Sequence, residues 1–186
     1  MALVAALSLG YAMSRSGGTG VDAEFDRSTP TQLPTIGTNR PVDGLKLADV
    51  ALTTADGTSI QTADLLGQPL VINYWYSTCL PCKKELPAFA AVDADFSDQV
   101  RFVGVNPLDP DLGQSFAADR GVRYELFGDP DGEYTSAVGI VTAPVTLFVA
   151  ADGTIVRQTG ELNEQEIRAI LAEEFGISEP SGLVES

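Results

Sequence analysis

Val71–Pro87 reads V-I-N-Y-W-Y-S-T-C-L-P-C-K-K-E-L-P, and its character changes twice along the way. Leu70 to Tyr76 is an apolar, aromatic-rich run of the kind that makes a strand buried on both faces. Ser77 and Thr78 stop that strand and offer hydroxyls that can cap a helix. Cys79 and Cys82 follow, with Leu80 and Pro81 between them. Pro81 is tolerated there because the first helical turn has N–H groups without helical partners anyway. From Cys82 onward Leu86, Phe89, Ala90 and Phe96 recur at helical spacing. Two cysteines thus stand one turn apart at a helix N-terminus, just past the carboxyl end of a strand.

That placement has a chemical consequence. A thiolate attacks disulfides and a thiol does not, so a reactive cysteine needs its pKa lowered from about 8.5. Free N–H groups and the partial positive charge of a helix N-terminus do this. Cys79, nearer the open end, is expected to be the exposed nucleophile. Cys82, deeper in the first turn, is placed to resolve a mixed disulfide formed at Cys79. A purely structural bridge closing so short a loop would constrain the unfolded chain very little. These are also the only cysteines in the chain.

The stretch N-Y-W-Y-S-T-C-L-P-C-K-K-E-L-P resembles the active-site region of the thioredoxin superfamily. It is most similar to the extracytoplasmic thiol–disulfide oxidoreductases of the TlpA and ResA type, which include the cytochrome c maturation reductases. Asn73 stands where cytosolic thioredoxin carries a buried Asp, and Trp75 holds the family's aromatic position on the strand. Glu85 matches an acidic position that ResA-like members use to tune the cysteines. Pro87 matches the proline that kinks the active-site helix. Pro144, in Thr142-Ala143-Pro144-Val145, falls on the superfamily's cis-proline. The resemblance implies that the Ala143 backbone pairs with an incoming extended peptide, like an added strand. Thr78 departs from the pattern, standing where the family carries Trp.

Composition narrows the alternatives. A chain of 186 residues with a net charge of −15 is large enough for one domain with extensions and ill suited to nucleic acid or anionic membranes. It contains no histidine, which excludes Ser-His and Cys-His catalysis and histidine-ligated haem. Lys83 directly follows the second cysteine, where covalent haem attachment would need histidine. Two cysteines without histidine make no four-ligand zinc site unaided. No metal and no dissociable cofactor is expected.

Taken in order, 1–13 is an apolar stretch too short to span a bilayer, which takes about 20 residues. It is read as a signal or membrane-anchor remnant. Residues 14–43, rich in Ser, Thr, Gly, Pro and Asp, read as a flexible tether. Leu45 to Leu52 alternates, Asp56-Gly57 turns, and Thr58 to Gln61 returns, which predicts a hairpin. Thr62 to Leu66 is a short helical turn. Val100 to Asn106 is a second apolar strand, and Asp109-Pro110-Asp111 can start a helix over 112–120. Val122 to Phe127, Val145 to Ala150 and Thr154 to Thr159 are further strands. Glu133 to Val138 is a short helix closed by Gly139. Asn163 with Glu166 forms a capping box for the last helix, which Gly176 ends. Residues 178–186 are an acidic tail.

These observations predict a thioredoxin-like α/β domain over 44–177: a mixed central sheet flanked by helices, with an N-terminal β-hairpin extension. The predicted function is exchange of a Cys79–Cys82 dithiol with disulfides of protein substrates, in the reductase direction. Supporting roles fall to Glu85, Pro144, Ala143, Trp75 and Pro81. Electrons would come from a membrane or thioredoxin-type donor. The protein would be a monomer, anchored in or secreted to the bacterial cell envelope, with no nucleic-acid partner. Two alternatives stand beside this. One is a peroxiredoxin-like thiol peroxidase, whose Pro-x-x-x-Thr-x-x-Cys pattern is missing before Cys79. The other is a non-catalytic binding module using the groove beside Pro144.

Overall fold

The computed structural model describes residues 38–108 and 110–177, without the side chains of 110–112. The N-terminal remnant, most of the expected tether, Asp109 and the acidic tail lie outside the described residues. In chain order the elements are β1 (Ala51–Thr53), β2 (Ser59–Gln61), a 3-10 turn (Thr62–Leu65), β3 (Leu70–Tyr74) and α1 (Leu80–Phe96). Then come β4 (Arg101–Asn106), α2 (Pro110–Ala118), β5 (Glu125–Gly128) and α3 (Glu133–Val138). The last are β6 (Val145–Val149), β7 (Ile155–Thr159) and α4 (Glu164–Phe175). The described strands form one mixed sheet in the order β2-β1-β5-β4-β3-β6-β7. The β3–β4 and β4–β5 pairs are parallel, joined by the α1 and α2 crossovers, and β6 runs antiparallel to β3.

Strand β3 lies near the middle, and all five of its residues are buried, as a run apolar on both faces requires. Leu70, Ile72 and Tyr74 face one core, with Leu52 of β1 and with Tyr134 and Val138 of α3. Val71 faces the other, with Phe89, Val92 and Phe96 of α1 and with Ile167, Ile170 and Leu171 of α4. Each such side chain contributes about 1.5–3 kcal/mol by leaving water. That anchors α1 firmly against the sheet, and with it the two cysteines at its head. The helix runs unbroken through Pro87.

The N-terminal hairpin is shorter than its alternation suggests. Residues 44–47 leave the hairpin and run along the start of β7: Gly44 N–H donates to Ile155 O at 2.8 Å, and Ile155 N–H to Leu45 O at 2.8 Å. Lys46 forms an isolated bridge with Thr154 and an ion pair with Asp152 at 2.8 Å. Alternation reports which face is buried but not which strand is the partner. The end of the stretch read as tether is also packed: Val42 is a core residue, and its N–H donates to Gln158 Oε1 at 3.2 Å. The strand expected from Val122 starts at Glu125. Val122 instead turns into the apolar cluster around the cysteines.

Candidate functional site

Three segments that are distant in sequence meet at the head of α1. Cys79 is the helix N-cap and Pro81 lies in the first turn. The two sulfurs are joined in a disulfide with Cα atoms 5.3 Å apart. Cys82 N–H points at Cys79 Sγ at 3.2 Å, so the donor that would stabilise a thiolate there is already aimed. Cys79, expected to be exposed, is itself buried in this disulfide form, retaining 6 % of its exposure where Cys82 retains none. Packing of Trp75, Ala143 and their neighbours around the bridge leaves only this small difference between the two sulfurs. Leu80, between them, is 69 % exposed.

Trp75 follows β3 and is buried in the same apolar cluster as the two cysteines. Its indole stacks on Phe116 at 5.9 Å, and the Arg120 guanidinium sits over that ring at 3.4 Å. Lys83 also lies over Phe116, at 5.7 Å, and Lys84 pairs with Glu161 at 3.9 Å. Ala143 packs on the cysteine cluster, and the Ala143–Pro144 peptide is cis.

Glu85 is buried, 1 % exposed, one turn below Cys82. Asn73 Nδ2 donates to Glu85 Oε1 at 2.8 Å and to Thr146 Oγ1 at 3.2 Å. Leu162 N–H reaches Glu85 Oε2 at 3.4 Å, a long bond. No cation is among these partners. Burial therefore dominates and pushes the carboxyl up to about 7, against the pull of the Asn73 and Leu162 bonds and with a push from Glu161. The shift brings the titration of Glu85 toward neutral pH on the helix that carries the cysteines. Thr146, Leu162 N–H and Phe116 escaped the sequence reading. They come from β6, from the β7–α4 connection and from α2, and nothing in their local sequence marks them.

The profile of the AhpC/TSA family matches residues 44–158. The chain belongs to the AhpC/TSA family. Among relatives of this family member, the thiol-disulfide oxidoreductase ResA of Halalkalibacterium halodurans is 29 % identical over 131 residues, covering 69 % of this chain and 74 % of its own. ResA of Bacillus subtilis is 29 % identical over 128 residues, covering 67 % and 72 %. Among solved structures, a secreted Mycobacterium tuberculosis disulfide oxidoreductase homologous to E. coli DsbE superposes with a TM-score of 0.59 at 27 % identity, covering 67 % of this chain and 96 % of that one. This AhpC/TSA member is a thiol–disulfide oxidoreductase of the ResA and DsbE type with a thioredoxin-like fold.

Proposed function

We propose that the protein reduces disulfides of protein substrates outside the cytoplasm, with Cys79 as nucleophile and Cys82 as resolving thiol. The observation that carries this is the Cys79–Cys82 bond at the cap of α1, with the only residual exposure on Cys79. In the reduced enzyme the Cys79 thiolate attacks one substrate sulfur. The substrate S–S bond breaks, a Cys79–substrate bond forms, and the first substrate thiol leaves. Cys82 gives up its proton and attacks Cys79 Sγ. The second substrate thiol departs, and the bond between Cys79 and Cys82 is restored. Two electrons pass to the substrate, and a dithiol partner must return them.

Glu85 is suited to the second step. As a carboxylate it can accept the Cys82 proton, and as an acid it can return it. Its charge opposes a nearby thiolate and raises the thiol pKa, favouring a reducing couple. Trp75 and Pro81 hold the cysteine layer in shape, while Ala143 and Pro144 form the wall that a substrate segment meets. The secreted Mycobacterium tuberculosis neighbour supports placement outside the cytoplasm. Among the described residues no helix is long and apolar enough to cross a membrane. The domain is taken to begin before the expected residue 44, because Asn39 to Val42 already pack on it, and to follow an anchor and the rest of the tether.

The family also suggests a peroxidase. Relative to Cys79, however, the Pro and Thr of the peroxidatic pattern are replaced by Ile72 and Tyr76. The deciding experiment follows insulin reduction and peroxide consumption by the pre-reduced enzyme. Insulin turnover lost in Cys79→Ser, together with negligible peroxide consumption, is the expected result. Peroxide turnover that outpaces insulin reduction would overturn the assignment.

A further inference from the structure

The loop between Val138 and Val145 carries Ala143 to the disulfide, yet it lies outside the strands. Its backbone is held by residues 39 and 40, well upstream of β1. Asn39 Oδ1 accepts from Val141 N–H at 2.7 Å and from Thr142 N–H at 2.9 Å. Asn39 Nδ2 donates to Thr142 O at 3.0 Å. One carboxamide therefore satisfies three polar atoms of two consecutive residues, as a paired peptide group would. The next residue continues the contact: Arg40 N–H donates to Gly139 O at 3.0 Å, and its guanidinium bonds Ala137 O. Val42, buried in the core, pins the far end of this strap.

The restrained loop has the features of a docking wall. Val141 is 62 % exposed although apolar, while Ala143, two residues on, packs on the cysteine cluster. A small disulfide has little surface to set against this loop, whereas an extended polypeptide bringing its disulfide to Cys79 would run past the exposed Val141 beside Ala143.

We propose that Asn39 is a positioning residue for protein substrates: by clamping Val141 and Thr142 it holds the Ala143–Pro144 wall ready for an extended, disulfide-bearing segment. The proposal rests on the exchange reading given above for Cys79 and Cys82. Ordering the loop before substrate arrives removes that entropic cost from binding.

The test compares full-length wild type, Asn39→Ala and Asn39→Asp. If loss of the clamp leaves the productive loop populated about one time in ten, KM for insulin rises about tenfold with kcat little changed. The ratio of kcat/KM for insulin to that for hydroxyethyl disulfide then falls by a similar factor. Asn39→Asp keeps both acceptor roles but sets a carboxylate oxygen against Thr142 O in place of the donor, so it should recover only part of the ratio. Independently, the Val141 and Thr142 amide protons should exchange slowly in wild type and rapidly in Asn39→Ala. An unchanged substrate ratio, an equal loss on both substrates, or unchanged amide exchange overturns the clamp. Wild-type enzyme that reduces neither substrate overturns the exchange reading itself.

Discussion

The Cys79–Cys82 disulfide has two flanks of opposite character. Below it lies a polar island sealed in the core, where Glu85, Asn73 and Thr146 are all buried. Beside it lies the loop of Val141, Thr142 and Ala143, part exposed and held by one side chain from far upstream. Burial gives the first flank electrostatic leverage, because charge interactions strengthen as water is excluded. Exposure gives the second flank access to a partner. In the proposed enzyme the first sets how readily the sulfurs react, and the second sets which disulfides reach them.

The largest effects should come from the sulfurs between the two flanks. Cys79→Ser should bring insulin reduction down to the uncatalysed background. Cys82→Ser should accumulate mixed disulfides with substrate, visible as a mass increase that dithiothreitol reverses. In the reduced wild type, alkylation near neutral pH should label Cys79 well before Cys82. Equal labelling rates would remove the distinction between nucleophile and resolving thiol.

Next comes the buried flank. Glu85 has an ordinary pKa of 4.5 and a folded one of about 7, so between those values the folded state holds more protons than the unfolded. Its contribution to stability is therefore fully present below about pH 4.5 and is lost as pH rises through about 7. The shift corresponds to about 3 kcal/mol. Glu85→Gln should flatten this part of the pH–stability curve of the oxidised protein, read from denaturant midpoints. It should also lower the Cys79 pKa and make the couple less reducing. An unaltered titration and potential would reduce Glu85 to a packing residue.

Asn73→Ala probes the same island more gently. It removes a bond that favours the carboxylate, so Glu85 should titrate still higher, and stability should fall by about 1–3 kcal/mol. The loss should be larger at pH 8 than at pH 5, because the carboxylate accepts the stronger, charge-assisted bond from Asn73. A pH-independent loss would mean that Asn73 serves Thr146 rather than Glu85. The smallest effect belongs to the exposed rim. Lys84→Gln breaks an exposed, 3.9 Å pairing with Glu161 and should cost less than about 0.5 kcal/mol. A larger cost would show that surface charge reaches the island.

Much of this molecule was legible along the chain. Strand β3, the cysteines at the cap of α1, the Asn163 and Glu166 capping box and the glycine that ends α4 are all local. Each follows from side chains within a turn or two of one another, where periodicity and capping chemistry act directly. The three-residue step from Cys82 to Glu85 likewise puts both on one helix face.

What remained hidden depends on partners that the chain brings from afar. Whether Glu85 meets water or core depends on partners such as Leu162, 77 residues on. Its charge state follows from that burial, and no helical spacing encodes it. Asn39, in a stretch composed like a tether, gains its role only because Val141 and Thr142 arrive 102 and 103 residues later. Composition describes how a segment behaves alone. The tertiary fold decides which backbone groups are left for it to pair, and so whether it folds onto the domain.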